Sequence, residues 1–298
     1  MDKLIEREPA VRPIASAPAI AVQFFLIPLL VVGATVLVYV GFRSLLSEDR
    51  SAQEYLTDIR SGGTNRRWPA AYELSRLMAN PDFVKRDEAL LAPELIKAFE
   101  ESKNDDPRVR QYLALTLGRL TPPIPPKARE LLIQALNDRD SQTRISAIWA
   151  LGSTGDDTVA AQIEQQYSSE DAGVRKMAVY ALGSIPGAAS SDTLVKALDD
   201  PQPDVQWNAA IALARHGRHE GVPVLRRMLD RDYVEHHVTR QQQATEEIDP
   251  VGEVMISGLR AVAALKEATL SDPVRTLSEK DANLKVRQAA METLKTLG

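Results

Sequence analysis

The sequence predicts an all-α protein: one apolar, membrane-spanning helix followed by an α-solenoid of about six or seven helical hairpins. Three observations carry that expectation. A long stretch without charged residues lies near the amino end. A pattern of Asp, Arg, Ala, Leu and Gly returns along the rest of the chain at intervals of roughly 30 residues, the signature of stacked repeats. Between its copies the apolar positions recur at three and four, the helical period.

The elements follow in order. Residues 1–17 form a tail carrying Lys3, Arg7 and Arg12. No charge occurs between Arg12 and Arg43, and Ile20 to Phe42 is the densest apolar part. At about 1.5 Å per residue that part extends roughly 34 Å, enough for a hydrocarbon core of about 30 Å. A transmembrane helix is therefore expected over residues 18–43, since lipid offers no partners for free backbone groups. Pro18 suits a first helical turn and Pro28 implies a kink. A cleaved signal peptide fits less well, because the run exceeds the usual h-region of about 7–15 residues and no small-x-small site follows it. The expected location is the inner (plasma) membrane, single-pass through residues 20–42, with the solenoid on the exported side in preference to the cytoplasmic. Lys3, Arg7 and Arg12 against Arg43, Arg50 and Arg60 give almost no charge bias. Residues 44–64 read as a juxtamembrane helix and linker.

The repeats begin near Asn65. The clearest copies run from Asp105 (D-D-P-R-V-R-Q-Y-L-A-L-T-L-G), Asp140 (D-S-Q-T-R-I-S-A-I-W-A-L-G) and Asp171 (D-A-G-V-R-K-M-A-V-Y-A-L-G). Weaker ones occupy Asn65–Leu77, Asp204–Ala214, Val254–Leu265 and Lys285–Leu294. Thirty-odd residues accommodate two short helices and two turns. Ala114, Ala147 and Ala178 are small enough for close helix packing, and Gly118, Gly152 and Gly183 follow the last apolar residue as helix C-caps do. One interval is much longer than the others, because of an insertion at 231–250.

The pattern D-x-x-V-R-x-x-A-x-x-A-L-G resembles HEAT repeats of the short bacterial type related to phycobilisome-lyase repeats, over about Asn65–Leu294. The solenoid is accordingly placed at 65–298. The resemblance implies a ladder of Asp and Arg between neighbouring units, which falls here on Asp106, Asp140 and Asp171 and on Arg67, Arg110, Arg144, Arg175 and Arg287. Gln206 stands where one copy would have Arg. The resemblance also implies an extended surface for a protein partner.

Little chemistry is left to place. The 298 residues contain no Cys, which removes thiol catalysis, iron–sulfur clusters and zinc-thiolate sites. A net charge of −5 argues against a broad nucleic-acid surface, so no nucleic-acid partner is expected. The histidines, His216, His219, His236 and His237, fall in one region beside Glu220, Asp232 and Glu235, a donor set that suits zinc or iron. Against this, adjacent His236 and His237 point differently on a helix, and His216 and His219 lie where a helix end favours a polar cap. The HEAT-like di-iron enzymes resembling deoxyhypusine hydroxylase use several His-Glu pairs, and only His219-Glu220 forms one here. Nucleotide-binding, nucleophile-elbow and zinc-protease motifs do not occur. No cofactor, metal or catalytic residue is expected. Trp68, Trp149 and Trp207 read as core residues or interface anchors. T-P-P-I-P-P (Thr121–Pro126) reads as a rigid connector, or a polyproline ligand for an aromatic groove. Tyr233, His236, His237 and Arg240 in the insertion are candidate partner-binding residues, since insertions in solenoids project from one face. The expected function is a membrane-anchored protein-interaction scaffold or adaptor; the alternative is a metal- or cofactor-binding protein using the His-rich insertion.

Overall fold

The computed structural model describes residues 26–46, 50–188, 191–238 and 249–298. The chain divides into two units, Met1–Ser51 and Ala52–Gly298.

In the first unit, α1 spans Ile27–Leu46, and the Thr35 hydroxyl donates to the Val31 carbonyl one turn back. The membrane location expected from residues 18–43 is overturned here: among the described residues no helix is long and apolar enough to cross a membrane. Residues 1–25, with the first part of the expected span, lie outside the described residues. Within α1 the uncharged stretch runs from residue 27 only to residue 42, roughly 24 Å at about 1.5 Å per residue, because Arg43 interrupts the last turn. A hydrocarbon core of about 30 Å needs more.

The second unit is an all-α array of paired helices. Helix α2 (Ala52–Ser61) pairs with α3 (Thr64–Leu77), α4 (Pro81–Glu101) with α5 (Pro107–Leu117), and α6 (Pro126–Ala135) with α7 (Ser141–Ser153). Next, α8 (Ala160–Gln165) pairs with α9 (Ala172–Leu182), and α10 (Asp192–Lys196) with α11 (Pro203–Arg215). Two short helices, α12 (Val222–Met228) and α13 (Arg231–His237), pack on α14 (Pro250–Leu265). The last pair is α15 (Ser271–Lys280) and α16 (Leu284–Leu297). The second helices, α3, α5, α7, α9, α11, α14 and α16, lie side by side in that order as one layer. Helix α2, within the segment 44–64 read as a juxtamembrane helix and linker, buries Leu56 and Ile59 and packs with the array.

Local rules start most second helices. Asp106, Asp140 and Asp171 sit at N-caps and accept from backbone N–H groups of their own first turns, as do Asp249 and Asn283 later. Each such cap is worth about 1 kcal/mol. Behind the caps, Leu113, Leu117, Ile148, Leu151, Val179, Leu182 and Leu213 are fully buried. Burying a side chain of this size contributes roughly 1.5–3 kcal/mol.

Gly118 and Gly183 stand at C-caps, but both are right-handed, with φ of −71° and −66°, and Gly152 lies inside α7. Their reason is close approach. A Cβ on Gly118 would stand 2.5 Å from Ala150, on Gly152 2.6 Å from Ala181, and on Gly183 2.7 Å from Ala212. Each glycine of an A-L-G or T-L-G end thus receives the alanine at the same place in the following repeat. Left-handed backbone falls elsewhere, at Gly155, at Gly217 and at Lys266, the C-cap of α14.

The core forms two clusters. One runs from Ala52 to Leu213 and takes Val205, Ala209, Ala212 and Leu213 from α11. The other begins with Trp207, Ala210 and Ala214 of the same helix and continues through α14 to α16.

Candidate interaction surface and the arginine ladder

The ladder arginines lie near the starts of the second helices and reach forward to the next turn. Arg110 donates from Nε and Nη2 to both oxygens of Asp138, at 2.7 and 2.9 Å, and from Nη1 to the Asp105 carbonyl. Arg175 repeats this on Asp200, at 2.8 and 3.0 Å, with Nη1 on the Ser169 and Glu170 carbonyls. Arg67 forms an ion pair with Asp105. Gln206 performs the carbonyl half alone, its amide donating to the Asp200 carbonyl at 2.7 Å. Arg231, from the insertion, holds Asp281 at 2.7 and 3.0 Å, and Arg287 donates to the Asp281 carbonyl. Arg144 donates from Nη1 to the Asp138 and Arg139 carbonyls.

The carboxylates facing Arg110, Arg175 and Arg231 are therefore Asp138, Asp200 and Asp281, two residues ahead of the cap positions. Burial pushes the Asp138 and Asp200 carboxyls up, but the guanidinium forks and the N–H groups of Asp140 and Gln202 outweigh it and hold both below the usual carboxylate range. Asp171 is held low in the same way: burial raises it, and the Ser141 hydroxyl and the N–H groups of Val174 and Gly173 more than compensate. The Tyr167 hydroxyl is pushed up to about 12, first by burial and then by the Asp200 charge.

A different surface lies on the layer of second helices. Tyr72, Leu115, Trp149, Tyr180 and Ile211 occupy one register position, five residues after Arg67, Arg110, Arg144, Arg175 and Gln206. Tyr72 and Tyr180 are 39% and 38% exposed, and the other three are partly buried. Arg76 lies over the Tyr72 ring, Arg119 over Trp149 and Arg215 over Tyr180, each guanidinium carbon 5.4–5.9 Å from the ring centroid. Such stacking on rings is worth about 0.5–1 kcal/mol at exposed sites. Among the described residues Arg119 and Arg215 form no ion pair: Arg119 donates to the Ser75 carbonyl, and Arg215 makes a 3.5 Å contact with the Ser184 hydroxyl.

The row ends in an open groove of about 430 Å³ whose lining includes Trp149, Tyr180, Ile211, Met228 and Trp207. Lys176 and Asp204 pair at its rim, 3.4 Å apart, and Glu253 adds a carboxylate on the α14 side. Trp207 is 3% exposed, and its indole Nε1 has no hydrogen-bond partner. A buried donor left unmatched costs about 1–3 kcal/mol.

The histidines do not converge. The His216 ring Nε2 contacts the Leu182 carbonyl, and His219 lies 2.7 Å from Glu267. Nδ1 of His236 and of His237 each lie against a backbone carbonyl one turn back, Asp232 and Tyr233. Among the described residues no group of three or more His, Asp or Glu could hold a metal ion. Tyr233 stacks on His237 with ring centroids 4.1 Å apart, and Arg227 lies 5.8 Å from the Tyr233 ring. Arg240 lies outside the described residues. The T-P-P-I-P-P run buries Ile124, and its Thr121 donates to Glu88 of α4 through both N–H and hydroxyl, so it is fastened as a connector.

With paired helices, the ladder and a single continuous layer in place, the fold is that of a helical-repeat solenoid. The family model for HEAT repeats matches residues 92–168 and 160–248, just over half of the chain, and the chain belongs to the HEAT-repeat family. The complex of CpcE and CpcF of phycocyanin lyase from Nostoc sp. PCC7120 is similar in fold, at 17% identity and a TM-score of 0.52, covering 84% of this chain and 95% of that one. An archaeal HEAT-like repeats protein from Thermococcus onnurineus NA1 is 14% identical, with a TM-score of 0.42 over 83% of this chain and 97% of that one. A designed armadillo repeat protein in complex with the peptide (KR)4 is 16% identical, with a TM-score of 0.44 over 84% of this chain and 100% of that one. No curated protein matches the chain.

Proposed function

We propose that this protein is a protein-interaction scaffold that presents the layer of second helices to a segment of a partner protein. The observation that carries this reading is the row Tyr72, Leu115, Trp149, Tyr180 and Ile211, repeated at one register position and partly open to solvent. A stripe of large side chains with guanidinium groups on its rings has the composition of interface anchors, which favour Trp, Tyr and Arg. The reading assigns no catalytic residue. Replacing Tyr180 with a photo-crosslinking amino acid in the native host tests it. One defined protein crosslinked at position 180, but not from exposed Ala161 on the layer of first helices, supports the scaffold. Equal labelling from both positions, or none from 180, counts against it.

A second docking point is favoured by the stacked Tyr233–His237 pair, with His236 exposed beside it. Tyr233, His236, His237 and Arg240 together make the insertion a lateral contact for the same partner. A partner crosslink at Tyr233 that survives loss of the crosslink at Tyr180 would separate the two.

A further inference from the structure

Two ladder arginines, Arg144 and Arg287, keep only the carbonyl half of their bonds, and Arg144 is the one that still has a ladder turn ahead of it. In Arg110, Arg175 and Arg231, Nε and Nη2 form a fork that holds two carboxylate oxygens. Arg144 shares the other half of the arrangement, Nη1 on the carbonyls at the entry to its own helix. Among the described residues no acceptor reaches its Nε or Nη2, and it forms no ion pair.

The cause is one residue. The carboxylate of each closed rung sits two residues ahead of a cap position: Asp138 before Asp140, Asp200 before Gln202, Asp281 before Asn283. Each accepts the backbone N–H at that position, at 2.8–2.9 Å, and keeps oxygens for the guanidinium. At the equivalent place before Asp171 stands Ser169, whose hydroxyl accepts the Asp171 N–H at 3.2 Å. The turn is preserved, but the hydroxyl does not fill the fork. Arg144 instead lines a groove of about 430 Å³ with Asp138, Asn137, Gln165, Gln166 and Ser169, and the Asp138 carboxylate there is taken up by Arg110. Two carboxylates act on Arg144 through their fields: Asp138, already held by Arg110, and Asp171, bonded to Ser141 and to its own helix N-terminus.

We propose that this open rung is a binding site for a carboxylate, gripped by Arg144 Nε and Nη2 as Asp138 and Asp200 are gripped in the rungs beside it. A planar carboxylate matches the fork with two parallel bonds, which a point anion does not. Its source, an Asp, a Glu or the chain end of a partner protein, rests on the scaffold reading above. The carboxylate chemistry rests on the fork alone.

The test follows the Arg Nε–Hε signals of the full chain by nuclear magnetic resonance, with Arg144 identified by loss of its signal in Arg144→Lys. Sodium acetate is titrated against sodium chloride and sodium phosphate at matched ionic strength. Acetate should move the Arg144 signal saturably while those of Arg110 and Arg175 stay in place. Ser169→Asp, which supplies the missing carboxylate, should abolish that response and raise Tm. An equal response to chloride, a larger one to phosphate, or an undiminished acetate response in Ser169→Asp would overturn the site. Because acetate is the probe, these results are independent of whether position 180 crosslinks to a partner.

Discussion

Arg175 grips both carboxylate oxygens of Asp200 across a sequence separation of 25 residues. The contact fastens the second helix of one pair to the turn between the two helices of the next. The Asp200 side chain is only 2% exposed, so its charge depends on that grip.

Removing one member of a buried pair costs about 3–5 kcal/mol, because the other is left charged and under-bonded. Gln202 and Tyr167 still serve Asp200 when Arg175 is gone. We therefore expect Arg175→Ala to lose about 3 kcal/mol in urea unfolding, the lower end of that range. A loss below about 1 kcal/mol would class the pair with exposed ones.

The same pairs predict an acid limb. Asp138 and Asp200 are held below the ordinary carboxylate range in the folded chain, near 4 when unfolded. Depressed folded values contribute stability above the unfolded value, and that stability is lost as pH falls through the folded values. Stability should hold from pH 7 to about 5 and fall below about 4. The fall should be shallower in an Asp138→Asn, Asp200→Asn double variant, which begins from a lower plateau. Parallel limbs in the two proteins would show that these carboxylates do not set it.

Tyr167 reverses the sign. Its hydroxyl is pushed up to about 12, against about 10 when unfolded. The stability this represents is complete below pH 10 and disappears as pH rises towards 12. Absorbance of tyrosinate should show a late step from Tyr167, and Tyr167→Phe should delete that step. Retention of the late step in the variant would assign it elsewhere.

Gly152→Ala separates two accounts of one residue. Helix propensity alone favours Ala over Gly by about 1 kcal/mol. The new Cβ would meet Ala181 at 2.6 Å, so overpacking of about 1–3 kcal/mol opposes that gain. We expect net destabilisation in urea unfolding and partial recovery in Gly152→Ala with Ala181→Gly. A stabilised single variant would mean the two helices separate at little cost.

The repeat pattern made the helix pairing legible, because a period near 30 residues is readable without knowing any contact. The functions of its letters were less so. The Asp of the motif caps its own helix, whereas the carboxylate opposite Arg175 comes two residues before the next cap position, outside the thirteen-letter pattern. The spacing Asp138-x-Asp140, Asp200-x-Gln202 and Asp281-x-Asn283 would have shown it. The glycines read as helix C-caps, which Gly118 and Gly183 are, but their close-packing role was hidden, since the sequence of one helix carries no sign of how closely its neighbour passes. The expected membrane span drew much of its length from residues before Ile27, while the described helix meets Arg43 too soon. The row from Tyr72 to Ile211 is readable from its constant offset from the ladder positions, and Trp207 reads as a core residue, which its burial matches; its unmatched indole N–H is a fact of packing.

Helix α11 gives Val205 and Ala209 to one core cluster and Trp207 and Ala210 to the other. Two nuclei can then grow from opposite ends of the array, each needing only its near neighbours, and meet at one shared wall. A cavity cut in this one helix is therefore felt on both sides of the wall at once.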